Sequence, residues 1–442
     1  MKINRRDFIR KSSLTAAGAG LFTILPSSVW GAKVAPSDRI NVGLIGCRNH
    51  GFSILRHHLA NEGVHCVALC DVDENVLNSR AESVKEINGD EPRLYKDYRR
   101  MLELDEMDAV IIGTPDHWQC LNFVHACEAG KDIYVEKPLA NTIAECAIMV
   151  KAANRYDSVV QVGQQQRSNT AFLETVGIVK SGGIGKLRKI EIWANFNYGI
   201  GANFAEDRDV PEGIDYDLWL GPAPERPFNN ARFHGSWRHF WDYGGGLFSD
   251  WGVHLLDMAL WPDNLLGGPE KVMSYASNTS EQSRMRDTFD TMSVLYPKKD
   301  YVIQYNMTAG IQVGPWDRLY GVAFVGDDGT IVTNRDGYML QPEYDQSNNR
   351  YRAESRNVST AGEAHDAHVK DFLDCIKTRN TPSCTPEMGY AAALHAHIPN
   401  IAARVGETYL EWDEENMRFK NSEAANRLVT PEYRRPWRLP EV

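Results

Sequence analysis

A chain of 442 residues, 43% hydrophobic and 24% charged, is long enough for two domains and has the composition of a globular protein. A net charge of −11 without a basic stripe argues against nucleic acid as the main partner. Eight cysteines with no C-x-x-C pair speak against structural zinc and for free, buried thiols, Cys375 and Cys384 being the pair to check for a bridge.

Residues 1–31 read as an export segment. Arg5-Arg6 lie in a basic stretch that ends at Lys11, a mildly apolar run rich in Ala and Gly follows from Ser12 to Leu25, and cleavage is expected after Gly31. The run is too short and too weakly apolar for a membrane span, and no later segment could be one. The segment resembles a twin-arginine signal, which implies an exported, periplasmic protein that folds before it leaves the cytosol. A basic amphipathic N-terminus on a cytosolic protein is the alternative.

From residue 40 short apolar runs alternate with helical patterns. Strands are expected at 40–45, 64–70, 108–112, 133–135 and 159–162, and helices at 51–60, 74–87, 117–129 and 143–154. Near-continuous apolar strands between helices predict a parallel sheet covered on both faces, here an α/β N-terminal Rossmann domain over 38–165. After Gln166 longer strands appear at 189–197, 272–276, 292–296, 301–307 and 321–325. Turn signals occur at Lys298-Lys299-Asp300 and Asp327-Asp328-Gly329, and a helical pattern runs from His365 to Ala403. These predict an α+β C-terminal domain over 166–415 with a large open, mostly antiparallel sheet, followed by a tail at 416–442.

The first strand ends in Gly43-Leu44-Ile45-Gly46-Cys47-Arg48-Asn49-His50-Gly51. A dinucleotide loop wants G-x-G-x-x-G between a strand and a helix, where the helix N-terminus holds the pyrophosphate. Gly46 and Gly51 fit the first and third glycines; Arg48 takes the place of the second. Its side chain either crowds the phosphate or contacts it, with Asn49 beside it. Asp71 ends the next strand where a ribose-binding acid is expected, and its charge favours NAD over NADP by repelling a 2′-phosphate. Thr114-Pro115-Asp116-His117-Trp118 and Glu136-Lys137-Pro138 each follow a strand end, where ligands sit in open α/β sheets.

A further segment, Gly244-Gly245-Gly246-Leu247-Phe248-Ser249-Asp250-Trp251-Gly252-Val253-His254-Leu255-Leu256-Asp257, lies in the second domain. Together these motifs resemble the Gfo/Idh/MocA family, which includes glucose–fructose oxidoreductase and inositol dehydrogenase, over roughly residues 38–415. The resemblance implies an NAD(P)-dependent oxidoreductase with Lys137, Asp250 and His254 as its catalytic group. It also implies that Gly46, Arg48, Asn49, Asp71, Thr114, Pro115, His117, Glu136 and Lys137 line the NAD site, a sugar, polyol or glycoside as substrate, and homo-oligomers.

The residue chemistry agrees with that expectation. Alcohol oxidation needs a base for the hydroxyl proton, and histidine serves near neutral pH. Asp250, four residues earlier, can share a helical face with His254 and orient it, with Asp257 as the reserve partner. Lys137 can stabilise charge on the substrate oxygen. A solvated i,i+4 pair is the bland alternative, and a metal site lacks a third ligand at convincing spacing. The aromatic segment before Asp250, with Trp237, Arg238 and Tyr243, together with Gln165 and Arg167, suits a sugar's apolar faces and hydroxyl rim. Plain core packing accounts for such a cluster equally well. Two enzymatic readings stand: a sugar oxidoreductase with tightly held NAD, and a glycoside-cleaving enzyme that uses bound NAD transiently. A binding protein without chemistry is the third.

Overall fold

The computed structural model describes residues 39–280, 284–360, 362 and 364–442; the export-type segment falls outside them. Six strands form the first sheet: β1 (Ile40–Ile45), β2 (Val64–Cys70), β3 (Arg93–Tyr95), β4 (Ala109–Ile112), β5 (Asp132–Val135) and β6 (Val160–Val162). All pair in parallel in the order β3-β2-β1-β4-β5-β6. The central strands β4 and β5 are buried along their whole length, as continuous apolar runs demand. The order reverses between β1 and β4, which opens a crevice at their C-terminal ends.

The helices of this domain include α1 (Asn49–Leu59), α2 (Glu74–Asn88), α3 (Asp116–Glu128) and α4 (Ile143–Tyr156). Asp73 caps α2 by accepting from the Asn75 and Val76 amides, and Gly89 ends it at φ 80°. The start of α1 has no such cap. Arg48 precedes it without a side-chain hydrogen bond, and no acidic residue occupies its first turn. The amides there are left for an anion.

The second sheet has ten strands: β7 (Leu187–Ala194), β8 (Lys271–Ser277), β9 (Thr291–Pro297), β10 (Val302–Thr308), β11 (Tyr320–Gly326), β12 (Gly329–Asn334), β13 (Gly337–Pro342), β14 (Arg356–Ser359), β15 (Tyr409–Asp413) and β16 (Arg418–Phe419). Only β7 and β10 pair in parallel; the other ladders are antiparallel. The two turn signals fall at the β9–β10 and β11–β12 hairpins. Strand β7 stops at Ala194, short of the expected 197, because a 3₁₀ turn begins at Asn197. Helices α5 (Gly246–Asp250), α6 (Gly252–Leu260), α7 (His365–Thr378) and α8 (Pro386–Val405) complete the frame. Residues beyond 416 return to the first domain, where Tyr433 donates to Glu145 at 2.6 Å. All eight cysteines are free and buried, so Cys375 and Cys384 form no bridge. No described helix is long and apolar enough to cross a membrane.

Three glycines make the crevice possible. A Cβ on Gly51 would lie 2.1 Å from the Gly46 carbonyl oxygen, and one on Gly113 would lie 2.6 Å from the Gly51 Cα. Gly46 also needs its φ of +85°. The start of α1 therefore packs backbone to backbone against the ends of β1 and β4. Gly51→Ala is expected to cost about 1–3 kcal/mol of stability, the usual penalty of overpacking, and to weaken NADH binding. Urea denaturation and a fluorescence titration measure both; unchanged values would show that the loop yields freely.

Candidate active site

The crevice continues into a cleft of about 1240 Å³, counted to its open mouth. Gly46, Arg48, Asn49, Asp71, Thr114, Pro115, Glu136 and Lys137 all line it. Arg48 has φ −86° and ψ 153°, extended backbone that any residue adopts, so an arginine in the second motif position costs no strain. Its side chain is exposed beside the cleft. Asp71 receives the Cys47 amide at 2.7 Å and the Asp73 amide at 3.0 Å. Burial raises its carboxyl above the usual range, and the amide bonds act against that rise. A carboxylate offers about four acceptor sites, so lone pairs remain for ribose hydroxyls. The glycine cradle, the uncapped helix start and this acid fit a dinucleotide.

Sequence reading placed His117 in this cleft, and the structure turns it away. His117 is buried with its Nε2 3.1 Å from the Trp219 carbonyl oxygen, and it packs on Tyr243. Successive residues on a helix point about 100° apart around its axis, so the neighbours of Asp116 on α3 do not all share its outlook.

Lys137 reaches from the end of β5 across to the second domain. Its Nζ donates to the Asp250 carbonyl at 2.8 Å and to Asp250 Oδ1 at 2.6 Å. Tyr198 donates its hydroxyl to Asp250 Oδ2 at 2.6 Å, and Arg238 Nε lies 3.1 Å from Oδ1. Together these cations and this hydroxyl hold the Asp250 carboxyl well below its ordinary range, against the upward push of burial.

His254 stands beside this cluster. Burial, then the charges of Lys137 and Arg335, push its imidazole well below 6.5, so it is neutral at physiological pH. Its Nδ1 is buried with no hydrogen-bond partner. The expected Asp250–His254 bond is absent. Charged donors claim the carboxylate, and a neutral imidazole competes poorly with them. The reserve partner is taken as well: Asp257 accepts from Arg167 Nε at 2.9 and 3.0 Å and from Nη2 at 2.6 Å.

That bidentate pair also removes Arg167 from the substrate-facing set. Tyr243 leaves it too, since it is fully buried in an aromatic core with Trp219, Phe233 and Phe240. Gln165 is buried, and with its amide turned over it donates to the Gly163 carbonyl and accepts from Arg335 and His365. Trp237 and Arg238 do line the cleft, with the guanidinium 4.3 Å above the indole. Sequence reading missed Tyr198 and His50. His50, inside the glycine loop, bonds Glu136 at 3.1 Å, and that carboxylate raises its pKa. Its place in the loop was the available signal; Tyr198 carried none. Among the described residues no group of three or more His, Cys, Asp or Glu is placed to hold a metal ion.

A family model described as an oxidoreductase family NAD-binding Rossmann fold matches residues 40–164. The same family's C-terminal alpha/beta domain matches 168–266 and 351–439, and a GFO/IDH/MocA C-terminal domain matches 222–332. The chain belongs to the Gfo/Idh/MocA oxidoreductase family. Its first domain is therefore NAD-binding. A glycosyl hydrolase family 109 protein of Shewanella pealeana is 31% identical over 205 residues, 42% of this chain and 45% of that protein. A namesake from Shewanella baltica is 30% identical, over 42% of this chain and 44% of its own length. The alignments thus span less than half of these curated relatives. A levoglucosan dehydrogenase solved with NADH and levoglucosan shares the fold at TM-score 0.65 and 20% identity, covering 84% of this chain and 99% of that one. An aldose-aldose oxidoreductase from Caulobacter crescentus solved with glycerol does so at TM-score 0.62 and 18% identity, with the same coverage.

The Arg167–Asp257 pair is structural on this geometry, with both side chains buried. Asp257→Ala should therefore lower stability by about 3–5 kcal/mol, the cost of a stranded buried charge, while NADH affinity of the folded protein stays near normal. Urea unfolding and NADH titration report the two quantities; a mild stability loss with a large affinity loss would place the pair in the site.

Proposed function

We propose that this enzyme oxidises a secondary hydroxyl of a sugar, polyol or glycoside with tightly held NAD, using His254 as base beside Lys137 and Asp250. The observation that carries this reading is the meeting of Lys137, Tyr198 and Arg238 on the Asp250 carboxylate, at the inner end of the dinucleotide cleft and next to a neutral, buried imidazole. Bound NAD supplies the hydride acceptor. The His254 imidazole accepts the hydroxyl proton, since its neutral form carries a free lone pair. Lys137 has three donors and spends two on Asp250, which leaves one to stabilise charge on the substrate oxygen. Asp250 acts as the positioning residue that aims Lys137. Trp237 and Arg238 offer an apolar face and donors to the substrate.

The Shewanella relatives favour a second reading, glycoside cleavage. Once the hydroxyl is a carbonyl, the neighbouring C–H is acidic. Loss of that proton expels the glycosidic oxygen and water adds to the double bond; bound NAD would supply a reversible hydride acceptor that is unchanged over the whole cycle. The solved sugar dehydrogenases support simple oxidation instead. The basic, Ala-rich segment at 1–31 supports export to the periplasm, with the cofactor carried along. The open face of the second sheet exposes Met273, Tyr275 and Leu295, a surface suited to a second copy of the chain.

Incubation with sugars and aryl glycosides separates the two readings. Aglycone release without added cofactor and without net NADH identifies cleavage, whereas net NADH from added NAD identifies a dehydrogenase. Lys137→Ala and His254→Ala should lose activity by about 10²-fold or more while still binding NADH; full activity would remove both residues from the mechanism. Because the folded-state pKa of His254 is depressed, its neutral form persists as pH falls below 6.5. The acid limb of kcat/KM owed to His254 should thus lie below 6.5, and a limb above that value which vanishes in His254→Gln would contradict the assignment.

A further inference from the structure

Part of the cofactor cleft is built by the second domain. Leu218, Trp219, His234, Gly235 and Trp237 face Gly46, Asp71 and Val72 across it. The segment that brings them there is fastened to the first domain right after the ribose acid. The Asp215 amide donates to the Val72 carbonyl at 2.9 Å, and the Glu74 amide donates to the Gly213 carbonyl at 3.0 Å. His234 then reaches over with Nε2 2.6 Å from Asp73 Oδ2. His234 holds φ +69°, a left-handed conformation that strains a non-glycine residue and persists where surrounding contacts enforce it. A second tie lies deeper, where the Trp118 indole and the His117 ring both bond the Trp219 carbonyl.

We propose that residues 213–238 form a clasp over the adenosine half of the NAD site, with Asp73–His234 as its latch. The inference rests on the cofactor assignment alone and is independent of the sugar chemistry. The two fastenings differ in kind. The backbone ladder at Val72–Glu74 and the Trp219 tie anchor the segment's first part, the Arg238–Asp250 pair anchors its end, and the turn at His234 between them is held to α2's cap by one side-chain pair. Asp73 serves two roles at once: Oδ1 caps α2 and Oδ2 takes His234. The pair is partly exposed, with His234 20% accessible, so water can compete for it and it can open without unfolding either domain. Entry and release of the dinucleotide then share one gate. That gate slows both directions, which would keep the cofactor resident through many turnovers.

The test uses the full protein and NADH itself. Trp118, Trp219 and Trp237 line the cleft, so energy transfer from tryptophan to the reduced nicotinamide reports binding. Stopped-flow mixing gives the association rate, and chase with excess NAD gives the release rate, for the parent, His234→Ala and Asp73→Asn. Asparagine keeps the cap on α2 while it weakens the latch. Losing a charge-assisted bond at the gate should speed both association and release by about tenfold or more and leave the equilibrium Kd within about threefold. Faster release with unchanged association, and a Kd weakened in step, would make His234 a plain contact and overturn the clasp. Unchanged rates in both variants would overturn it too. Far-UV circular dichroism on each variant separates these outcomes from misfolding, and a chain that bound no NADH at all would instead sink the cofactor assignment.

Discussion

Lys137 and Asp250 come from different domains, and their contact at 2.6 Å organises everything around them. The lysine ends a strand of the parallel sheet, and the aspartate ends a short helix over the mixed sheet. Closing that distance sets the crevice between the domains and aims the ammonium group at its inner end. Asp250 is buried, so its charge has to be met several times over. The lysine, the Tyr198 hydroxyl and the Arg238 guanidinium meet it, and each is thereby fixed in place.

Charge allocation then decides what the neighbouring groups can do. With Asp250 saturated, His254 has no carboxylate to orient it, and burial, then the nearby cations, hold it neutral. That neutral imidazole keeps a lone pair for a proton, and its buried Nδ1 is left without a hydrogen-bond partner. One helical turn on, Asp257 and Arg167 form a closed pair that adds no free charge to the site. Two aspartates on one run of sequence are thus each met by a cation from far along the chain, the first beside the cleft and the second in the scaffold.

The cofactor cleft shows how a degenerate motif can keep its function. Gly46 and Gly51 stay because backbone meets backbone there and no Cβ fits. Arg48 is tolerated because its position has ordinary extended dihedrals and its side chain points out toward the cleft. The two glycine roles of the motif, a left-handed turn and close packing, are therefore intact, and the second position is open to a cation that suits phosphate.

Strand and helix periods were legible because burial imposes them locally. The five strands and four helices expected for the first domain fall within a residue or two of their places, the short edge strand β3 was not foreseen, and of the residues expected to hold the cofactor all line the cleft except His117. The antiparallel hairpins around residues 298–300 and 327–329 were legible from their turn residues. What the sequence could not decide was which charge meets which. Spacings of four and three suggested Asp250 and Asp257 as partners of His254, yet long-range cations from positions 137 and 167 won both carboxylates, since a full charge outbids a neutral ring. Aromatic residues near 219–243 read equally as a sugar platform or a core, and only packing sent Tyr243 inward and left Trp237 at the cleft. Sequence alone determined the two-domain frame and the strand–loop–helix turn of the NAD site, because those depend on periodicity and local backbone chemistry, while the oxidoreductase reading followed from the motifs' resemblance to the family. The tertiary structure decided the partners of every buried ionisable group, because electrostatic pairing depends on distance in space and not along the chain.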